Sequence, residues 1–363
     1  MSDTTATLTQ FDNLIAADGP AALVVREHLI PAEGADAVFF PATFAPSKKG
    51  DKSGYNIDTS KDGSNVALID SVGSQANRIE PMFKEKPYSA LVPQIVIRAG
   101  TKEINLLDAG HRAGDALARC SSLKDVLQKA FKSVLKGNAL PLAEIAPTSL
   151  VFGVWDSRDT QAKIPRLIAS TVRAYNVRPL TRSAQYIPPV DYLGKSIQDE
   201  KVEGLDEPGK DSDKELFAEC GFNHVPATGT HGGVIADGGI RRDAVLALSA
   251  LRLINADTPE NTAKLRRYIL GLALVAFTKL PLAYYRQGTI LTLDPDKPRE
   301  FKAVNNDGSR EDAAISHDDA LAFAQVAAEA FAVKPQNHLF IFDTKLAKTT
   351  FEEFKRKKGK ATE

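Results

Sequence analysis

This sequence predicts an α+β fold, built as one domain over residues 1–363 and interrupted by long insertions. Three observations carry that reading. Strand-like and helix-like segments mix without a regular order. Hydrophobic residues make up 43% of the 363-residue chain, ample for one large core. Two stretches, 41–64 and 188–230, lack apolar periodicity and read as insertions. At this length a division into two domains is the alternative; no internal repeat is visible.

Residues 41–64 are read as a flexible basic insertion, since Pro46–Ser64 (PSKKGDKSGYNIDTSKDGS) is rich in Lys, Gly, Ser and Asp. Val66–Asp70 reads as a buried strand, and Ser71–Glu80 opens a helix with Asp70 or Ser71 as its cap. Val92–Arg98 and Ser149–Trp155 are β-rich. Leu123–Leu135 has helical spacing, with Ser122 and Asp125 as a capping-box pair. Ile164–Ala174 reads as a helix with Pro165 in its first turn, which would put Arg166 and Arg173, seven apart, on one face. The segment Pro188–Val225 is broken by Pro188, Pro189, Gly194, Gly204, Pro208 and Gly209, so 188–230 is taken as an acidic insertion or linker. Beyond it, Arg242–Ile254 and Thr262–Lys279 show helical patterns, and Gly288–Leu293 suggests a hairpin. Ser316, with Asp319 three residues on, caps a helix that precedes the strand His338–Phe342. Residues 352–363, with Lys355–Lys360 (KRKKGK), read as a flexible basic tail.

Charge is sorted along the chain, although 46 basic residues balance 46 acidic ones. Between Asp159 and Asp191 no carboxylate occurs, while Lys163, Arg166, Arg173, Arg178 and Arg182 stand among Tyr175, Asn176, Gln185 and Tyr186. Lysine and arginine neutralise phosphates, arginine adds a planar fork, and tyrosine offers a stacking face. Nucleic acid is therefore the expected partner; the alternative is a solvated helix face followed by a loop. The next segment, Ser196–Glu219, carries nine acids against Lys201, Lys210 and Lys214, a net charge of minus six. Local clustering, not the sum, sets the field at a groove.

Several catalytic and metal-binding readings fail on their own chemistry. Gly204–Lys210 (GLDEPGK) resembles a phosphate-binding loop, but Asp211 stands where the magnesium-binding Ser or Thr belongs. Asp58, Ser60, Asp62 and Gly63 imitate the start of a calcium loop whose twelfth position is Ile69 instead of Glu. Cys220, His224 and His231, near Asp237, have metal-ligand chemistry without the spacing of a zinc module. His231-Gly232-Gly233 has no accompanying G-x-S-x-G nucleophile. No catalytic residue, metal or cofactor is expected. With Cys120 and Cys220 alone, an amino terminus (MSDTTATLTQ) unlike an export signal, and a longest apolar run of Ile269–Phe277, a cytoplasmic protein with no membrane span is expected.

On the helix read at Ser71–Glu80, Ser74, Asn77 and Arg78 would share adjoining turns able to grip a sugar-phosphate backbone; the alternative is that Asn77 and Arg78 cap neighbouring elements and pair with Glu80. His111, beside Arg112, suits hydrogen bonding or phosphate contact better than isolated acid-base work.

Five strings in order, LIDSVGSQANRIE (68–80), LLDAGHRAGDA (106–116), PTSLVFGVWDS (147–157), the run 164–186 with RAYNVRPLTRSAQY, and GGIRRDAVLALSALRLI (238–254), resemble blocks of one family. It is the backbone subunit of type I-G (formerly I-U) CRISPR Cascade effector complexes, the Cas-seven branch of the RAMP superfamily. The resemblance implies a palm similar to an RNA-recognition motif (ferredoxin-like), with insertions as fingers and thumb. It implies copies stacked head to tail on a guide CRISPR RNA that is presented to target DNA, in contact with other Cascade subunits. Sequence-blind contacts would leave base identity to pairing. Expected RNA contacts are Lys163, Arg166, Arg173, Arg178 and Arg182, with Asn77, Arg78, His111 and Arg112 by their place in the blocks, and Tyr186 for stacking. Lys48, Lys49 and Lys52 are candidates for target DNA. Related type III backbones cleave RNA through an acidic residue, so a ribonuclease using Asp58, Asp62 or Asp70 is the alternative.

Overall fold

The computed structural model describes residues 2–45, 54–190, 192, 209–222, 225–335 and 337–359. Lys48, Lys49, Lys52, His224 and most of the acidic run lie outside them. The fold is α+β, organised on a curled antiparallel sheet of nine strands. Along it, Tyr284–Arg286 pairs Thr289–Leu293, followed by Ala22–Pro31, Ile240–Ala247, Ile168–Tyr175, Asn65–Asp70 and Ile57–Thr59. Glu300–Val304 also pairs Ala22–Pro31, along its first half, and Arg310–Asp312 follows it.

Alternation explains why these segments are strands. In Ala22–Pro31 every second residue is buried, and Ile168, Ser170, Val172 and Ala174 point inward from Ile168–Tyr175. Leu23, Val25, Ala244, Leu246 and Ile168 belong to a large apolar cluster with the helices Pro259–Thr278 and His317–Phe331. Further along the same strands, Leu29, Ile240, Val172 and Ala174 join a smaller cluster with Phe39, Ile69 and Val234. At the registers between them the sheet carries polar groups: Glu27 opposite Arg242, then Ser170. Arg242 Nε donates to Glu27 Oε2 at 2.5 Å, Ser170 Oγ to Gln75 Oε1 at 2.9 Å, and Gln75 Nε2 to Asp70 Oδ2 at 2.6 Å. A connected polar stripe thus divides the core.

Two strands leave the sheet as an arm. Ile168–Tyr175 continues through Asn176, in the left-handed region at φ 48°, into Val177–Tyr186. That strand pairs Val225–Ala236, which returns through Gly238 and Gly239 to Ile240–Ala247. The corner is close-packed: a Cβ on Gly238 would lie 2.8 Å from the Tyr175 carbonyl oxygen. The stretch read as an acidic insertion therefore starts as the far end of a hairpin, carries the helix Asp211–Glu219, and gives way to strand at Val225, inside the expected 188–230 boundary.

Many expected elements are present: the strand Asn65–Asp70, the helices Val72–Ile79, Lys124–Leu135 and Pro259–Thr278, the Gly288 turn, and the strands Gln94–Ala99 and Asn337–Ile341. Ser71 Oγ accepts from the Ser74 N–H and Ser316 Oγ from the Asp319 N–H, as their positions require. Others differ. Ile164–Ala174 and most of Arg242–Ile254 are strands, with only Leu248–Leu251 helical in the latter. Ser149–Trp155 is a buried helical turn, Thr148–Phe152, before the short strand Val154–Trp155. Ser122 does not cap Lys124–Leu135; its hydroxyl accepts from the Ile341 N–H. The tail is helical over Thr344–Gly359, and part of the basic insertion pairs as Gly54–Tyr55 and Ile57–Thr59. No helix among the described residues is long and apolar enough to cross a membrane.

Candidate nucleic-acid interface

The expected site residues fall into three places. The first is the surface beside the helix Val72–Ile79, where three distant blocks meet. Exposed Arg166 lies beside it: the atom nearest a Cβ placed on Gly73 is Arg166 Nη2, at 3.9 Å. Gly153, at φ +78°, makes room for the arginine, since a Cβ there would fall 2.7 Å from Arg166 Cγ. Asn77 and His111 are exposed around the same helix, and Asn77 Nδ2 is the nearest atom to a Cβ on Gly110, at 3.4 Å. Lys163 sits over the Trp155 ring, 5.7 Å from its centroid, and both are exposed. The Ser74 N–H of the first turn is taken up by the Ser71 cap, and the guanidinium beside the helix start favours an anion. Arg166 makes no ion pair among the described residues.

Arg112, expected at a phosphate, is turned inward. It is 3% exposed and its Nε lies 2.6 Å from Glu80 Oε2. Its Nη2 donates to Asn77 Oδ1 at 3.2 Å and its Nη1 to the Gly153 carbonyl at 3.4 Å, with the guanidinium over Phe152. Its backbone is in the left-handed region, φ 53°, unusual for a side chain of this size. Burial pushes the Glu80 carboxyl up to about 7, against the opposing pull of Arg112 and a hydrogen bond with Thr148. Burial also lowers the Arg112 guanidinium, Glu80 raises it, and the neighbouring charge of Arg166 lowers it further. Arg112 thus ties Asn77 and the Gly153 turn together beneath this surface.

Arg78 is likewise engaged within the fold. It donates to Asp70 Oδ2 at 3.0 Å and to the Tyr285 carbonyl at 2.6 Å, and lies over the Tyr285 ring. Asp70 is buried and is also approached by Arg286 at 3.8 Å.

The second place is the sheet face opposite the helices. Strand geometry puts Arg173 there with Thr171 and Tyr175, away from the helical face shared with Arg166 that its spacing suggested. Arg173 donates to Thr171 Oγ1 at 2.6 Å and makes no ion pair among the described residues. Opposite it stands Arg241, which donates to Tyr175 Oη at 2.8 Å and stacks on its ring at 4.8 Å. Arg26 and His28 extend the row; Arg26 and Arg241 both contact Asp243. Sequence reasoning missed Arg26 and Arg241 because a helix was read over Arg242–Ile254 and none was sought before residue 41. The alternation of Leu23, Val25, Glu27 and Leu29 with Val24, Arg26 and His28 was the available signal.

The third place is the arm. Arg178 forms a bidentate pair with Asp237, at 2.6 and 3.1 Å, and both side chains are exposed. The pair raises the arginine and lowers the aspartate, chiefly through its hydrogen bonds. Arg182 and Tyr186 are exposed farther out, Tyr186 at 48%. Midway along the arm, opposite Thr181, the His231 ring lies against Tyr55 with centroids 4.8 Å apart and the planes tilted by 43°. Cys220 is exposed, and no group of three or more metal-binding side chains occurs among the described residues.

Residues 23–179 match the family model described as CRISPR-associated protein GSU0053. The match supports a CRISPR-associated protein. Its span includes Asn77, His111, Lys163, Arg166, Arg173 and Arg178, and ends before Arg182 and Tyr186. A solved chain described as "CRISPR RNA-guided surveillance complex, pre-nicking" aligns with 85% of this chain and 86% of its own, at 12% identity and a TM-score of 0.31. No curated protein matches the chain.

Proposed function

We propose that this CRISPR-associated protein is an RNA-binding backbone subunit of a type I-G effector complex. In this reading it polymerises head to tail along a guide CRISPR RNA, meets other Cascade subunits, presents the guide to target DNA, and does not cut. One observation carries the proposal: exposed Arg166 lies against the start of the helix Val72–Ile79, with exposed Asn77 in the last turn of that helix, exposed Lys163 and Trp155 on the strand pair that leads to Arg166, and no carboxylate paired to Arg166 among the described residues. Such contacts bind phosphate and base faces without reading sequence.

The palm reading has its own support. Taking Ala22–Pro31 as first, Ile168–Tyr175 as second, Ile240–Ala247 as third and Thr289–Leu293 as fourth, the sheet order is four, one, three, two, as in an RNA-recognition motif. The open face with Arg173, Tyr175 and Arg241 is then the face such domains offer to RNA, and the arm between second and third strands is the candidate thumb. A cleaving role for Asp70 is disfavoured by its burial against Arg78, Arg286 and Gln75.

Purification from the native host tests this. The proposal expects intact RNA of uniform length to accompany the protein and to be lost in an Arg166→Ala/Arg173→Ala variant of unchanged melting temperature. Equal retention by that variant at physiological salt, or cleaved RNA abolished by Asp70→Ala, refutes it.

A further inference from the structure

The helix Thr344–Gly359 stands where a flexible basic tail was expected from residue 352 on. Its sequence holds six basic residues against Glu352 and Glu353, a net charge of plus four. Leu346, Ala347, Thr350 and Phe354 are half-buried, so one side of the helix rests on the fold. Arg158 lies over the Phe354 ring, 5.0 Å from its centroid. That arginine belongs to the turn between the paired strands Val154–Trp155 and Lys163–Ile164, where Trp155 stands opposite Lys163. The helix is thereby tied to the surface that carries exposed Trp155 and Lys163.

The side left open has a pattern of its own. Lys348, Phe351 and Lys355 are exposed and stand three and four residues apart, which sets an aromatic ring between two ammonium groups along one face. Phe351 is 66% exposed and meets no ring or cation among the described residues. Across the helix, its cap and the turn, exposed Lys345, Lys348, Lys355, Arg356, Arg158 and Lys163 outnumber the exposed carboxylates Asp343, Glu352, Glu353 and Asp159. None of these six cations is in an ion pair among the described residues.

Those groups discriminate between partners. A lipid surface takes up a helix whose apolar face is free to enter it, whereas Leu346, Ala347 and Phe354 are turned to the fold. A protein groove takes up a helix with several apolar anchors a turn apart, and Phe351 is the one exposed large apolar residue among the described residues of this helix. Cations with a ring between them match a single strand, which needs charge along its backbone and a face for a base. We propose that the helix Thr344–Gly359 is a second contact for single-stranded RNA, with Lys348 and Lys355 on phosphates and Phe351 under a base, continuing the strand that crosses Trp155. The inference takes its ligand from the RNA-binding reading above and rests on it in that respect.

Filter binding of the full chain to a single-stranded RNA oligonucleotide over a salt series tests this. Lys348→Ala/Lys355→Ala should lower the slope of log affinity against log salt by about 1.4, at roughly 0.7 per phosphate contact. Phe351→Ala should weaken binding about tenfold, the loss of one stacked base. Both variants change exposed side chains, so their melting temperatures should match the wild type. Lys163→Ala/Arg166→Ala, measured beside them, separates the two readings. Weaker binding in that variant with unchanged affinity and slope in both helix variants overturns the helix contact and leaves the earlier surface standing. Weaker binding in the helix variants alone supports the helix contact and removes the earlier surface. Unchanged RNA affinity in the helix variants together with lost binding to phosphatidylserine vesicles assigns the helix to a membrane and overturns the proposal, as does a wild type that binds no RNA.

Discussion

Replacing Arg112 by Met separates a structural role from an RNA-binding one. The side chain is 4% exposed and its partner Glu80 2%, with 2.6 Å between charged atoms. Removing one member of such a pair strands the other, which costs about 3–5 kcal/mol. The size of the loss depends on pH, because the Glu80 carboxyl is raised from 4.5 to about 7. A group whose folded value is raised holds its proton more tightly in the folded state, so its favourable contribution is complete below about pH 4.5 and is lost as pH rises through 7. The difference of 2.5 pH units, at about 1.4 kcal/mol each, corresponds to roughly 3 kcal/mol across that window. Without Arg112 the carboxyl rises further, so Arg112→Met should be mildly destabilised at about pH 5 and by the full ~3–5 kcal/mol at about pH 8. Urea denaturation at both values measures this, and an Arg112→Met/Glu80→Met double variant should recover at least half of the loss at the higher pH. A single variant within ~1 kcal/mol of wild type at pH 8, or one that keeps its stability while losing RNA, refutes the reasoning.

Other expectations follow from the same geometry. Lys163→Ala/Arg166→Ala should reduce the slope of log affinity against log salt for single-stranded RNA by about 1.4, at roughly 0.7 per phosphate contact, with no change in melting temperature; an unchanged slope in a filter-binding series places the RNA elsewhere. Gly238→Val would set a Cβ 2.8 Å from the Tyr175 carbonyl and should destabilise by ~1–3 kcal/mol in denaturant, with increased hydrogen exchange in the arm strands. Ser316→Ala removes the hydroxyl that accepts from the Asp319 N–H and should cost about 1 kcal/mol, read from the urea midpoint at constant slope.

What the sequence revealed was local. Ser71 and Ser316 announce their helices because a cap bonds only three residues ahead, and Pro259–Thr278 is long enough for its pattern to be unambiguous. The helices read over Ile164–Ala174 and Arg242–Ile254 failed because those strands are held by partners far away in sequence: Arg242 pairs with Glu27 and Ile168 with Leu246. The site was half legible for the same reason. A run free of carboxylates marked Lys163, Arg166 and Arg173 as candidates, but folding sends Arg173 to a different surface from the other two, brings Asp237 to Arg178, and turns Arg112 onto Glu80. Nothing adjacent in sequence tells a buried arginine from an exposed one; that is decided by what the fold sets across from it.

The polar stripe across the sheet bears on how the chain finds its alignment. If Ala22–Pro31 slid by one residue against Ile240–Ala247, Glu27 would swing to the outer face and Arg26 or His28 would be driven between two apolar volumes, opposite no acid. Leu23 and Val25 would tolerate an offset of two residues, being interchangeable oily neighbours; a carboxylate held by Arg242 and Arg299 would not. Glu27 and Arg242 thus act as a key that only the correct offset can turn.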